Sequence, residues 1–316
     1  MPERQVKQAT SVAEQIEILR ARGMNVDEPQ AVQWLTNVGY YRLSAYWYPA
    51  RLIGDTGGRG DTLTADISFA DAANLYEADR KLRTLIYDGL ERIEVALRAR
   101  LSAQICSEDP LRYQKREAFR QDFNHTQWLA TVNKRISRAM VRSESIRHYA
   151  RDYDGYYPFW VIAEVLDFSD VSRMFEGLLV QDQNAIANSL NVVPDLGALS
   201  RKQRRKTVSE SPLVRWFEQL TVLRNMCAHH ARVWNKSFAP ASTVALRTIP
   251  ELSSLPEGQS GKVCGALKVM SYLLCTISPG TVWPSRIATL MKESFFPNPM
   301  VTRTALGASA DWDGVL

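Results

Sequence analysis

The sequence predicts an all-α protein, built as a helical bundle with a helical N-terminal extension. Apolar residues recur at intervals of three and four over several long stretches, which is the spacing of amphipathic helices. Alternation of apolar and polar residues, the pattern of half-buried strands, is almost absent. The chain has 316 residues, of which 45% are hydrophobic and 23% charged, the composition of a globular protein with a large core.

Residues 1–60 are predicted to form the N-terminal extension. Residues 10–22 have the pattern of a short amphipathic helix, and Asp-Glu-Pro at 27–29 marks the start of a second helix. The aromatic-rich stretch 40–48 either packs in the core or, because arginines flank it, stacks on bases. The glycine-rich stretch 54–60 is predicted to be a turn-rich loop, and it lacks the Lys-Ser/Thr of a phosphate-binding loop.

Residues 61–240 are predicted to be the main helical core, and residues 241–316 a C-terminal helical segment and tail. Helical periodicity marks these stretches: Asp71–Leu101, Trp128–Ile146, Phe159–Leu179, Val263–Ile277 and Pro284–Glu293. The tail from Pro297 onward is predicted to be extended or loosely ordered.

Acidic residues within these helices have more than one interpretation. Asp79 with Arg83 and Glu94 with Arg98 are spaced four apart, and such pairs add a few tenths of a kcal/mol to a helix when they are exposed. Glu164, in the helix predicted at Phe159–Leu179, is either an acid at the edge of the core or a group that orients a histidine.

Two basic segments are candidates for contact with RNA. Lys134, Arg138 and Arg142 are four residues apart on one predicted helix face, where almost no acids interleave. The run RKQRRK, predicted to be a loop, supplies the remaining cations: Arg201, Lys202, Arg204, Arg205 and Lys206. Either segment is alternatively a solvated surface. The net charge of +5 and the pI of about 9.0 are compatible with an RNA partner.

The stretch Pro212–Lys236 combines an apolar helical face with polar residues near its end. Arg224, Asn225, His229 and His230 interrupt the apolar pattern, and burying such groups without partners would cost several kcal/mol. They therefore face a partner across an interface or line a site that binds an anion.

The spacing of Arg224 and His229 favours a site. Five residues of an uninterrupted helix place them about 140° apart around the axis, and both side chains are long enough to converge on one phosphate-sized group. Arginine neutralises phosphoryl oxygens, and histidine moves protons near neutral pH. This pair is a minimal apparatus for metal-free phosphodiester cleavage, with histidine as general base or acid for a ribose 2′-hydroxyl.

Four blocks of the sequence, together spanning roughly residues 35–236, resemble the Abi (abortive-infection) family, specifically its AbiD/AbiF-like members within the HEPN ribonucleases. The blocks occur in the family's order: GYYRLSAYWYP (39–49), LYEADRKLRTLIYDGLERIEVALRARL (75–101), FWVIAEVLDFSDVSRMFEGL (159–178) and RNMCAHHARVWN (224–235). The last block carries the R-x4-H motif of HEPN ribonucleases. Ser169 departs from the pattern, which has glycine there.

The resemblance implies a HEPN-like bundle and a metal-independent endoribonuclease that acts as an anti-phage toxin. Arg224 would stabilise phosphate charge, His229 would act as general acid or base, and Asn225 would orient the phosphate or the histidine. His230 is catalytic or structural. Arg232, with Trp234 and Asn235, would lock the helix end, and Arg232 is a possible second phosphate contact.

The resemblance also bears on assembly and on a second helix. HEPN proteins build a composite site from two facing R-x4-H motifs, and the chain has one motif, so a homodimer is implied. Glu94 and Arg98 would approach that site in the family, whereas their spacing alone favours an ordinary helix pair.

Two other functions are carried forward. The protein is alternatively a non-catalytic RNA-binding module that holds a structured regulatory non-coding RNA on its basic segments, an interpretation compatible with a nuclease restrained by that RNA. A third hypothesis treats Arg224 and His229 as a satisfied cluster buried at a dimer interface.

Several classes of protein are not expected. The four cysteines show no CxxC pairing, and there are only four histidines. We therefore predict no zinc site, no other cofactor and no disulfide framework. The N-terminus lacks the apolar run of a signal peptide. The most apolar segment, residues 269–277, is about half the length of a membrane span. We therefore expect a cytoplasmic protein.

Overall fold

The computed structural model describes residues 8–54 and 57–316. It is 61% helical, and the described residues form 14 α-helices, which confirms the all-α fold class. The helices are Val12–Ala21 (α1), Glu28–Asn37 (α2), Tyr40–Trp47 (α3), Phe69–Ile105 (α4), His125–Ala139 (α5), Glu144–Asp152 (α6), Phe159–Ile162 (α7), Phe168–Gly177 (α8), Val180–Ser189 (α9), Arg201–Ser209 (α10), Leu213–Ala228 (α11), Val263–Ile277 (α12), Trp283–Leu290 (α13) and Arg303–Leu306 (α14).

Two short antiparallel strand pairs accompany the helices. Strands Arg51–Ile53 (β1) and Arg59–Leu63 (β2) pair around the predicted glycine-rich loop, and Ala241–Ser242 (β3) pairs with Gln259–Ser260 (β4). The loop is shorter than predicted because β2 already begins at Arg59. Its residues 55–56, like residues 1–7 of the predicted extension, lie outside the described part of the chain.

Helix α4 is the centre of the bundle. It has 37 residues, a length of about 55 Å. A capping box starts it, in which Ser68 and Asp71 satisfy each other's backbone N–H groups. Helices α2, α3, α7, α8, α9, α11, α12 and α13 all pack against it. One hydrophobic core runs from Ile16 to Trp312 and includes buried residues from all three predicted segments of the chain.

The C-terminal segment is attached to α4 by specific contacts. The buried Trp283 indole donates a hydrogen bond to the carbonyl of Leu85 at 2.6 Å, and the Asn298 amide donates to the carbonyl of Asp71 at 2.8 Å. Close approach of Trp283 requires glycine at position 89, where a Cβ atom would lie 3.0 Å from the indole. The residues after Pro297 were predicted to be loose, and this was wrong, because Leu306 and Trp312 are buried in the core.

Two predicted helices are interrupted. The stretch 128–146 was predicted to be one helix, but α5 ends at Ala139 and α6 begins at Glu144, where the Ser143 hydroxyl caps it. The stretch 159–179 is likewise divided into α7 and α8, with Asp167 in a capping box at the start of α8. Apolar spacing continues across both breaks, so periodicity alone did not find them.

Candidate active site

Helix α11 carries the first half of the Arg/His motif and is fixed by its apolar face. Trp216, Phe217, Leu220 and Leu223 are fully buried, and the helix packs between α4 and α8. The helix ends at Ala228, earlier than an uninterrupted helix through the motif would. The four polar residues at the end of the motif helix, Arg224, Asn225, His229 and His230, thus lie on the last turn of α11 and just beyond it.

The two histidines differ in backbone conformation. His229 caps the helix, and its N–H still bonds to the carbonyl of Asn225 at 3.0 Å, so it keeps the helical position assumed for the pair with Arg224. His230 has a φ of 56°, in the left-handed region that ends many helices. The backbone therefore changes direction at His230, and this residue is not part of the helix.

A buried carboxylate holds the chain after this change of direction. Asp79 of α4 is fully buried and accepts hydrogen bonds from the backbone N–H of Val233, at 3.2 Å, and of Trp234, at 2.9 Å. The same carboxylate accepts from the Tyr46 hydroxyl at 2.8 Å and from the Arg83 guanidinium. Asp79 thus connects α3, α4 and the segment that follows the motif.

Burial and hydrogen bonding shift the pKa of the Asp79 carboxyl in opposite directions. Burial raises the pKa of the Asp79 carboxyl, while the Arg83 guanidinium, the Tyr46 hydroxyl and the two N–H groups oppose this by stabilising the charge. These contacting groups all donate to the carboxyl, so a carboxylate satisfies every one of them. Burial also raises the pKa of the neighbouring Cys227 thiol to about 12.

Two arginines complete the anchoring of the motif. Arg232 donates to the carbonyl of Ala45, and burial lowers the pKa of its guanidinium. Arg42 donates to the carbonyl of His230 at 2.8 Å. Trp234 is fully buried, and Asn235 accepts a hydrogen bond from Lys262 through its carbonyl. Arg232 is therefore engaged in fixing the segment to α3, which is the first of its two predicted roles.

Arg224 faces α4. Its guanidinium lies 4.0 Å from the Glu94 carboxylate and 5.9 Å from the centre of the Tyr87 ring. Glu94 also pairs with Arg98, which donates to the carbonyl of Leu166 at 2.7 Å. The Glu94–Arg98 pair predicted from spacing is formed, and the same carboxylate reaches the motif arginine.

Arg224 lines a recess of about 450 Å³. The other lining residues are Tyr87, Glu91, Glu94, Val95, Arg98 and Glu164. Glu164 is thus beside Arg224, but it lies in the turn after α7 rather than within a helix. In the part of the chain that the structure describes, no group of three or more His, Cys, Asp or Glu residues is arranged to hold a metal ion.

The side chains of both histidines are exposed. Neither makes a side-chain hydrogen bond or ion pair within residues 8–54 and 57–316. His230 lines a second recess, next to the Arg224 recess, and Tyr87 lines both. Asn225 is exposed as well, and its side-chain oxygen lies 3.4 Å from the Arg224 guanidinium. The helix end thus presents arginine, asparagine and histidine to solvent from an anchored backbone.

Neither basic segment lines the recesses beside Arg224 and His230. Lys134 and Arg138 are exposed on α5, and Arg142 lies in the turn after that helix, so the predicted stripe is not one helix face. Residues 201–206 were predicted to be a loop, but they form the first two turns of the exposed helix α10, which Ser200 caps. Residues of α10 line a cleft at the start of α11, and Arg215 of α11 lines the same cleft.

The position of α10 changes the argument for its role. Arg224 is nine residues further along α11 than Arg215, a separation of about 14 Å along the helix axis. Nearness in sequence therefore does not bring the α10 cations to Arg224 within one chain.

Sequence reasoning missed two residues of the site. Asp79 was interpreted as half of a possible exposed pair with Arg83, whereas the two side chains are 0% and 6% exposed. Tyr87, half-exposed beside Arg224, was not singled out at all. The apolar residues on the same helix face, Leu75 and Leu82, were the available signal for the burial of Asp79.

Comparison with known proteins gives one result. The model of a family described as Abi-like protein matches residues 33–235, more than half of the chain. The match includes Asp79, Glu94 and the whole Arg/His motif and ends before the C-terminal segment. No curated protein and no solved structure matches the chain. None of the described helices has the length and apolar character of a membrane span.

Proposed function

The chain belongs to the Abi-like protein family, and we propose that it is a HEPN-type endoribonuclease of the AbiD/AbiF kind, acting as a toxin in the cytoplasm during abortive infection. Family membership suggests the part played in abortive infection. The nuclease activity is our inference from the residues at the end of α11.

One observation supports this activity most strongly. Arg224, Asn225 and His229 are solvent-accessible on a helix end that is held by the buried Asp79, and the His229 side chain has no structural partner among the described residues. Polar side chains that are exposed on a rigid backbone are suited to contact a ligand. The types present, a permanent cation and a proton carrier, suit an RNA phosphate and its 2′-hydroxyl.

The proposed reaction is a transesterification. One histidine takes the proton of the 2′-hydroxyl, the 2′-oxygen forms a bond to the adjacent phosphorus, and the bond from phosphorus to the 5′-oxygen breaks. A second acid gives its proton to the leaving 5′-oxygen. Arg224 neutralises the charge that accumulates on the phosphoryl oxygens. The products are a 2′,3′-cyclic phosphate and a 5′-hydroxyl, and no metal ion takes part in the proposed step.

Arg224 is oriented before substrate binds. Glu94 and Tyr87 flank its guanidinium, and the contacts of Arg98 with Glu94 and the Leu166 carbonyl fix the carboxylate in turn. A guanidinium held in this way does not need to lose much side-chain freedom when a phosphate arrives. At 4.0 Å the Glu94 contact is long, so the guanidinium N–H groups remain accessible to phosphate oxygens.

A homodimer would supply the second proton carrier. The reaction requires a base and an acid, whereas each chain offers one motif histidine at the C-cap of α11. A two-fold axis beside α11 would bring two copies of Arg224 and His229 to one groove. Exposed apolar residues border this face: Val95 is 60% and Val222 36% exposed.

The test compares wild-type protein with Arg224→Ala and His229→Ala on total RNA in EDTA. We expect cleavage by the wild type and its loss, by at least about a hundredfold, in both variants. Arg173→Ala and His148→Ala are matched controls, because both residues are exposed and neither lines the recesses beside the motif. Cleavage that survives in Arg224→Ala and His229→Ala would contradict the proposed site.

A non-catalytic RNA-binding module is the second candidate. The observation that favours it is α10, whose five cations are all exposed on one short helix. If the wild type does not cleave, and a structured RNA co-purifies equally with all variants of the motif, this second function is supported instead. Charge removal on α10 would then be expected to release the RNA.

A further inference from the structure

Three surface recesses lie next to one another along α4 and share lining residues, so we treat them as one groove. The Arg224 recess and the His230 recess share Tyr87, and the His230 recess shares Arg80 and Thr84 with a third recess of about 460 Å³. The exposed side chains of α4 that line it are three or four residues apart: Arg80, Thr84, Tyr87, Glu91 and Val95. We call this feature the α4 groove. From Lys81 to Arg98 it extends about 25 Å along the helix axis.

The third recess is the basic end of the groove. Lys81 of α4 and Arg286 of α13 line it, both exposed, and neither forms an ion pair or side-chain hydrogen bond within residues 8–54 and 57–316. Arg80 lines the same recess and is paired with Glu77. Four hydroxyl groups and one acid accompany the three cations: Thr84, Ser285, Thr289, Ser294 and Glu293. Unpaired cations beside hydroxyl donors form a surface suited to phosphate oxygens.

The other end of the groove is acidic. Glu91, Glu94 and Glu164 line it, and Arg98 and Arg224 are the cations there, both close to Glu94. A polyanion that reaches Arg224 is therefore repelled at this end and attracted at the other. The opposite signs of the two ends give the groove a direction.

We propose that a single RNA strand leaves Arg224 toward the basic end, passes over Tyr87 and contacts Lys81 and Arg286 through its phosphates. This deepens the proposed function, on which it rests for the identity of the ligand. Tyr87 has the exposure of a stacking platform, because its ring is 43% exposed at the junction of two recesses. Stacking on a single aromatic ring requires an unpaired base, so the geometry favours a single strand over a duplex.

This proposal gives the C-terminal segment a role in substrate binding. Arg286 lies on α13, and the preceding Trp283 fixes that helix to α4 through the Leu85 carbonyl at 2.6 Å. Arg92 of α4 adds a hydrogen bond to the Thr281 hydroxyl at 3.1 Å. The basic end thus exists only when residues beyond 240 pack on α4.

The decisive variant is Lys81→Ala with Arg286→Ala. Its affinity for a 5′-fluorescein-labelled, mixed-sequence, single-stranded oligoribonucleotide is measured by anisotropy in the His229→Ala background, so that no strand is cut. For two lost phosphate contacts, the slope of log affinity against log salt concentration should become shallower by about 1.4. Lys115→Ala with Arg173→Ala is the matched control, since it removes one exposed lysine and one exposed arginine that neither line the groove nor belong to the two basic segments.

Tyr87 provides a second, independent measurement. Tyr87→Ala should weaken binding by between about fivefold and a hundredfold, as expected for loss of one base stack, and Tyr87→Phe should retain it. An unchanged salt slope in the Lys81/Arg286 variant, or an equal change in the Lys115/Arg173 control, would overturn the proposal. Far-UV circular dichroism verifies that each variant is folded.

The outcome separates this proposal from the nuclease proposal. If the wild type cleaves RNA but the groove variants bind and cleave like the wild type, the groove is wrong and the nuclease stands. If no cleavage is found but the salt slope falls only in the groove variant, the groove stands and the nuclease is wrong.

Discussion

Replacing Asp79 with asparagine should destabilise the protein far more than its position in an ordinary i,i+4 pair would indicate. The substitution preserves side-chain size but removes the charge that faces Arg83, whose side chain is 6% exposed. It also leaves one acceptor oxygen for four donor groups: the Tyr46 hydroxyl, the Arg83 guanidinium and the N–H groups of Val233 and Trp234. The amide nitrogen of asparagine is itself a donor and cannot replace the lost acceptor.

The magnitude follows from these contacts. Removing one partner of a buried ion pair costs about 3–5 kcal/mol, because the other charge stays buried without compensation. An unsatisfied backbone N–H adds a cost of about 1–3 kcal/mol, which is not fully additive with the first. We therefore expect Asp79→Asn to lower the free energy of unfolding by about 3–5 kcal/mol, a large part of the 5–15 kcal/mol typical of a domain.

Urea denaturation followed by circular dichroism measures this change. Asp88→Asn is the matched control, since Asp88 pairs with Arg92 four residues along the same helix but is 45% exposed. Loss of that pair should cost less than about 1 kcal/mol. If Asp79→Asn and Asp88→Asn lower the free energy of unfolding equally, the carboxylate does not anchor the motif and the argument from burial is refuted.

Three further predictions concern the core, the cysteines and Glu94. Trp283→Ala should cost about 3–5 kcal/mol in thermal unfolding experiments, whereas Val282→Ala, at a side chain that is 65% exposed, should change stability by less than about 0.5 kcal/mol. Burial raises the pKa of Cys227 to about 12 and of Cys264 to about 11, so their thiolate fractions at pH 8 fall to about one in ten thousand and one in a thousand. Iodoacetamide should therefore label the exposed Cys275 first in the native protein, and early labelling of Cys227, detected by mass spectrometry, would contradict its burial. Glu94→Gln should lower the single-turnover cleavage rate by between about tenfold and a hundredfold, because Arg224 would be misplaced, and RNA binding should not weaken. An unchanged cleavage rate would exclude a role for Glu94 in orienting Arg224.

The fold class and most helices were predictable because local patterns determine them. The bounds of α12 match the predicted Val263–Ile277, and Asp27 caps α2 as its Asp-Glu-Pro sequence indicated. The breaks before α6 and α8 were not found, although Ser143 and Asp167 are ordinary N-cap residues. Continuous apolar spacing concealed them, since periodicity reports the buried face and not the continuity of the helix.

The site was only partly predictable because it depends on contacts between distant residues. Spacing predicts Arg224 and His229 as a pair, and the resemblance implied that Glu94 approaches them, whereas only the structure shows Tyr87 beside the arginine. The i,i+4 pattern cannot distinguish the buried Asp79–Arg83 pair from the exposed Asp88–Arg92 pair. The basic end of the α4 groove was not predictable, because it requires Trp283 to contact the carbonyl of a residue 198 positions earlier in the chain.

The chemistry of the cleaved ends tests the central proposal most directly. Wild-type protein is incubated with RNA in EDTA. The new 5′ ends are identified by their susceptibility to a kinase that requires a 5′-hydroxyl, and the new 3′ ends by their resistance to ligation until the cyclic phosphate is opened and the resulting monophosphate is removed. Attack by the 2′-hydroxyl, assisted by His229 and Arg224, predicts 2′,3′-cyclic phosphate and 5′-hydroxyl ends. Products with 5′-phosphate and 3′-hydroxyl ends would show that water, rather than the 2′-hydroxyl, is the nucleophile, and would contradict the mechanism.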